Sequence, residues 1–155
     1  PAETLSEADD TDPRNKTSVI SLVNADQRLF MLTGDAGVSS LGHAADEYES
    51  TVGDFNTQPL SLFQAPHHGS HHNLSPTILD RILGSIGAPH SAHTNAVVSS
   101  AKAAPKHPSP KVTNAIGRRG ANVVATEGRT ICFASSSRPG WSPTTPIGPL
   151  EEPED

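Results

Sequence analysis

The stretch Leu60-Ser-Leu-Phe63-Gln-Ala-Pro66-His67-His68-Gly-Ser70-His-His-Asn-Leu-Ser75-Pro76 changes character twice, and those changes decide the fold class. Leu60–Phe63 is a short apolar run closed off by a proline, the pattern of a brief strand. A polar, histidine-rich loop follows. Ser75 then offers a hydroxyl to cap a helix, and Pro76 fits its first turn, where no backbone N–H is needed. Ile78, Leu79, Ile82, Leu83 and Ile86 share one face of that helix, which Gly87 is expected to end. A strand, a loop and a capped helix in succession are the repeating unit of a layered α/β domain.

The same alternation extends in both directions. Upstream, Ser18–Val23 and Leu29–Leu32 read as a strand hairpin joined through Asn24-Ala-Asp-Gln27. Val38, Leu41, Ala45, Tyr48 and Val52 then recur at steps of three and four, a helix stripe stopped by Gly53. Downstream, Ala96–Ser99 is a strand. A third helix opens on Ser109-Pro110, turns Val112, Ala115 and Ile116 inward, carries Arg118 and Arg119 near its carbonyl end and stops at Gly120. Asn122–Ala125 and Thr130–Phe133 are expected to close the domain as a hairpin across Glu127-Gly128.

The flanks differ from this middle. Residues 1–14 are acidic and apolar-poor and read as a linker; 135–155 are proline-rich, end in acids and read as a disordered tail, with Trp141 solvent-facing or lightly docked. That leaves residues 15–134 as the folded unit. With 34% hydrophobic and 4% aromatic residues, the 155-residue chain can fill one modest core. It contains no run of ~20 apolar residues, so no membrane span is expected. The first residues, from Pro1, lack the basic and apolar regions of a signal peptide and lack a Met, so the chain is expected to be cut from a longer protein. A lone cysteine, Cys132, excludes an internal disulfide or a cysteine-rich zinc site; a reducing, cytoplasmic setting is the expectation.

Charge is unevenly spread. Residues 1–60 carry eleven acids against three bases, whereas residues 100–132 carry Lys102, Lys106, Lys111, Arg118, Arg119 and Arg129 against Glu127 alone. A basic segment of this kind either meets phosphates or forms a solvated helix face.

Three places can hold chemistry. In Leu32-Thr-Gly-Asp35-Ala an apolar strand ends at a glycine and presents a carboxylate, and open α/β sheets bind ligands at that edge. A carboxylate offers hard oxygens to metal ions; as a bare dipeptide, Gly34-Asp35 is also an ordinary turn. His67 and His68 again follow a strand, and imidazole is the commonest metal ligand and a ready proton carrier. In extended backbone the two would point to opposite sides, so both serve one ion only if the chain turns between them. Lys106-His107-Pro-Ser109 sits before the third helix, where free N–H groups favour an anion. His43, His90 and His93 carry no functional expectation.

The ordered set Asn15-x-x-Ser18-Val-Ile, Leu32-Thr-Gly-Asp35-Ala, Gln64-Ala-Pro-His67-His68-Gly-Ser70, Ser75-Pro, Ser99-Ser, Lys106-His107-Pro-Ser, Arg119-Gly and Thr126-Glu-Gly-Arg-Thr-Ile131 resembles the C-terminal half of a metallo-β-lactamase-fold hydrolase. The branch it looks most like is that of the ComEC/Rec2 DNA-uptake proteins, and the similarity spans about residues 15–133. The resemblance implies half of an αββα sandwich, with a mixed sheet and three helices and a metal site at the sheet edge. It assigns Asp35 as a carboxylate bridging two divalent ions, usually zinc and in nuclease branches manganese. It makes His67 or His68 a further ligand, His67 preferred. The unliganded member of that pair, notably His68, and His107 would then stabilise the oxyanion or protonate the leaving group, with a metal-bound hydroxide as nucleophile.

The family's principal motif, His-x-His-x-Asp-His, has no counterpart in this chain. A hydrolytic zinc needs about three protein ligands and an open position. The expectation is therefore an incomplete hydrolase, inactive alone, that is completed by a missing N-terminal half or a partner chain. The basic segment makes a phosphodiester, including nucleic acid, the expected substrate. The competing reading is a non-catalytic half-domain that binds a partner or ligand. Nucleic-acid binding as the main role is disfavoured by net acidity and few aromatics.

Overall fold

The computed structural model describes residues 3–9, 11–89, 93–102, 104, 106–134 and 136–152. His90, Pro105 and Ser135 lie outside them. The first strands, β1 (Ser21–Ala25) and β2 (Arg28–Leu32), are an antiparallel hairpin. Their two-residue turn, Asp26-Gln27, has φ of 51° and 61°, the left-handed pair whose twist matches a tight hairpin. β1 begins later than its apolar run suggests, because Asn15–Thr17 form a 3-10 turn bonded back to the Asp12 carbonyl and leave Val19 exposed.

From β2 the chain repeats one motif: α1 (Val38–Thr51) leads to β3 (Leu62–Gln64), α2 (Pro76–Leu83) to β6 (Asn95–Val98), and α3 (Pro110–Arg118) to β7 (Asn122–Ala125). Between α2 and β6 lies a two-stranded ribbon of β4 (Gly84–Ser85) and β5 (Ala88–Pro89). The main sheet has the order β1-β2-β3-β6-β7, parallel from β2 onward. It is an α/β fold with a mixed five-stranded sheet and three helices.

Because successive parallel strands are added in one direction, right-handed crossovers place every helix on the same face. The core follows. Met31, Phe63, Ala96 and Val123 form one cross-strand row, joined by Leu41, Ala45 and Tyr48 of α1, Ile78, Leu79, Ile82 and Leu83 of α2, and Val112, Ala115 and Ile116 of α3. Tyr48 stacks on Phe55 at 4.0 Å between ring centroids. Among the described residues the opposite sheet face receives no helix, and Val23 and Leu32 remain exposed on it at 42% and 41%.

Several expectations shift. Ser75 caps α2 by accepting from Ile78 N–H at 3.3 Å, as read. The helix stops at Gly84 (φ 92°), before Gly87, so Ile86 leaves the apolar stripe and is exposed. Ser109 precedes α3 without a side-chain capping bond. The Glu127-Gly128 turn forms, with Arg129 N–H bonded to Thr126 O at 2.7 Å, but 130–133 do not become a strand. The outer edge of β7 is taken instead by Ile147, whose N–H reaches Val123 O at 2.8 Å. Phe133 lies by Phe30 and Leu62, over the helix-free face.

Arg119 departs furthest from the expectation of a solvated cation. Its guanidinium is buried, 1% exposed, and bonds Asp80 and Glu3 at 2.8 Å each and the Ala115 carbonyl at 2.9 Å. It ties α2, α3 and the N-terminal segment together. Arg118 pairs with Glu3 and Glu152 at 3.2 Å each. Among the described residues, no helix is long and apolar enough to cross a membrane.

Candidate functional site: a histidine cluster at the sheet edge

β2, β3 and β6 run parallel, so their C-terminal ends open on one edge of the sheet, and the loops that follow them are sewn together there. Thr33 donates from its hydroxyl to Gln64 O at 2.9 Å. The His67 N–H bonds Gly34 O at 3.0 Å, Ser109 N–H bonds Gly69 O at 3.1 Å, and Ser100 and Thr126 exchange two bonds at 2.9 Å. These links bring Asp35, His67, His68 and His107 to a common edge from three separate loops.

The histidine loop does not stay extended. His67, His68 and Gly69 have φ of 45°, 57° and 75°, three consecutive left-handed residues within a 3-10 turn. For the two non-glycines this conformation costs about 1–2 kcal/mol apiece. The turn swings both imidazoles to one side: their ring centroids lie 5.9 Å apart, and His107 stands 6.0 Å from His67 and 6.4 Å from His68. The alternation that would have separated His67 from His68 is thereby removed.

Each ring of the pair is held by Nδ1. His68 Nδ1 is 2.6 Å from Ser99 O, and a carbonyl only accepts, so Nδ1 carries the proton and Nε2 is left with its lone pair. His67 Nδ1 lies 3.2 Å from Asn73 Oδ1 and 3.1 Å from the Asn15 amide nitrogen. Asn73 is 1% exposed, and its Nδ2 donates to Asp35 O at 3.0 Å and Ala36 O at 3.2 Å. That fixes its oxygen as the acceptor, which calls for a proton on His67 Nδ1, whereas the Asn15 amide nitrogen can only donate and calls for a lone pair there; the ring is anchored through Nδ1 by two partners that favour opposite tautomers. Anchoring one ring nitrogen to orient the other is the arrangement found behind metal-ligating and proton-carrying histidines.

His107 differs. Its Nδ1 is buried without a hydrogen-bond partner. Burial, and then the nearby charges of His67, His68, His71 and Lys106, hold its pKa below the usual histidine value. Asp35 is half-buried; its N–H bonds Ser18 Oγ at 3.2 Å. Asn73 spans the two centres, touching the Asp35 backbone with one end and the His67 ring with the other. Asn73, Asn15 and Ser99 therefore position the site. No local signal marks Asn73 in the sequence, since the groups it joins lie far apart along the chain.

Donor count is the shortfall. Among the described residues, no three His, Cys, Asp or Glu side chains are gathered to hold one metal ion. The donors fit a divalent cation in chemical type, and fall short in number. Comparison of the chain with protein-family models, with curated proteins and with solved structures found no match.

Proposed function

We propose that this edge is the C-terminal part of a metal-dependent phosphodiester hydrolase of the metallo-β-lactamase type, ComEC/Rec2-like, whose remaining ligands come from outside this chain. The supporting observation is the pair of imidazoles anchored through Nδ1 beside the Asp35 turn, with Nε2 of His68 left as the acceptor. Asp35 and His67, with His68 as the alternative ligand, would hold zinc or manganese, as one ion or two. The ion would supply a bound water whose pKa is lowered towards ~7.

The chain's own residues do the rest. Ser99 keeps the His68 ring in the tautomer that accepts a proton at Nε2 and returns it to a leaving oxygen. His107, held below its usual pKa, stays neutral near pH 7 and serves as a hydrogen-bonding group beside the reacting phosphate. Phosphate attraction falls to the exposed Lys102 and Lys106, since Arg118 and Arg119 are committed to carboxylates. The test is hydrolysis of bis(p-nitrophenyl) phosphate by the intact polypeptide with and without added zinc or manganese. Activity should require metal and vanish in Asp35→Ala; full activity in that variant refutes the reading.

The exposed Val23 and Leu32 on the helix-free face favour a second reading, a non-catalytic half-domain covered by a partner chain. Sedimentation of the chain as a monomer at all accessible concentrations, with no binding to the rest of its polypeptide, would remove it.

A further inference from the structure

Residues 146–152 return to the domain as an extended strap along α3 and β7. Three contacts hold it. Ile147 N–H bonds Val123 O at 2.8 Å, adding the strap to the outer edge of β7. The Asn114 side chain grips the Leu150 backbone at both ends, donating to its carbonyl at 2.8 Å and accepting from its N–H at 2.9 Å. Arg118 meets the Glu152 carboxylate at 3.2 Å, which also accepts from Thr4 and from Asn114. Ile147 packs half-buried against the core, and a cavity of about 700 Å³ stays open beside the strap.

Of these contacts, two read backbone and one reads an acid. Only Ile147 is recognised by side-chain packing, and Leu150 itself is exposed. Pro146 and Pro149 keep the segment extended, so little conformational freedom is lost when it binds. Strand addition at a sheet edge, with an apolar anchor and a charge clamp, is a general mode of peptide capture.

We propose that the Asn114–Arg118–Val123 groove is a recognition site for an extended, proline-bracketed acidic segment of a partner protein, with residues 146–152 as its resident intramolecular ligand. A tethered ligand competes at an effective concentration in the millimolar range, so the site opens to a partner only when the strap is loosened.

The experiment uses the full chain and a fluorescein-labelled peptide of residues 143–152, read by anisotropy. Ile147→Asp loosens the strap, and Glu152→Lys does so without touching the core. Either variant should bind the peptide about ten-fold or more tightly than the unsubstituted chain. Adding Asn114→Ala should abolish that gain, and rising salt should weaken binding. Binding no better than to a scrambled peptide, or unaffected by Asn114→Ala, overturns the proposal. So does a dimer of the unsubstituted chain at the same concentrations, which would assign the groove to a second copy's tail.

Discussion

Gly69 sits against Val98 so closely that a side-chain carbon on it would fall 2.9 Å from Val98 Cγ1, and 3.2 Å from Pro108 Cβ. This contact lets the His67–His68 turn slide beneath His107-Pro108, and it brings the three imidazoles within about 6 Å of one another. Gly69 also adopts φ 75°. Gly69→Ala is thus expected to lose stability on two counts, left-handed strain of about 1–2 kcal/mol and overpacking of about 1–3 kcal/mol. Urea unfolding measures the loss, and the His107 NMR resonances should move with it. Unchanged stability would mean that the loop is not packed as described.

Asn73 carries more than its own bonds. Replacing it by Ala leaves the Asp35 and Ala36 carbonyls without that donor and frees the His67 ring, at an expected cost of about 1–3 kcal/mol. If His67 ligates a metal, the same change should lower metal affinity roughly 10–100-fold. Isothermal titration with zinc and thermal unfolding separate the two effects.

The two adjacent arginines should respond unequally. Arg119 is buried among Asp80, Glu3 and two backbone carbonyls, so Arg119→Ala should cost about 2–3 kcal/mol, held below the full buried-pair penalty because Asp80 is partly exposed. Arg118→Ala removes ion pairs from a side chain that is less deeply buried, and Glu3 keeps Arg119, so it should cost less, about 1–2 kcal/mol. Denaturant midpoints of the two variants decide the order.

Acid should release the termini. Burial raises the Glu152 carboxyl, and hydrogen bonds from Thr4, Asn114 and Arg118 outweigh it, leaving the pKa below its ordinary 4.5. Glu3 shows the same balance, with burial opposed by Arg119, the Leu5 N–H and Arg118. A carboxyl with a depressed folded pKa stabilises above its unfolded value and loses that contribution as pH falls through the folded one. Exchange of the Ile147 amide should therefore accelerate below pH 4.5 ahead of core amides. His107, also depressed, adds a milder loss that begins as pH falls below 6.5.

How much of this was legible depended on range. Ser75-Pro76 is local and appears where the sequence puts it; the hairpin connection, read as Asn24–Gln27, narrows to Asp26-Gln27 because Asn24 and Ala25 stay paired in β1. Asp35, His67 and His107 could be placed at one edge because each follows or precedes a regular element. The end of α2 was misread because Ile86 continues the apolar period beyond Gly84, where the backbone in fact turns left-handed. Thr130–Phe133 have the composition of a strand, yet the β7 edge they would pair with is met by Ile147. Arg119 reads as a solvated cation until Glu3 and Asp80 are brought to it from distant parts of the chain. The left-handed turn at His67 and His68 has no local signal, since glycine follows them and does not replace them.

The most direct test of the central claim is a long-range proton–nitrogen NMR spectrum of the imidazoles, recorded before and after zinc is added. The account predicts His68 protonated at Nδ1 in the free protein, with zinc shifting the ring-nitrogen resonances of His67 or His68 and Asp35→Ala weakening that shift. A His68 ring protonated only on Nε2 at the outset, or spectra that zinc leaves unchanged, would contradict it.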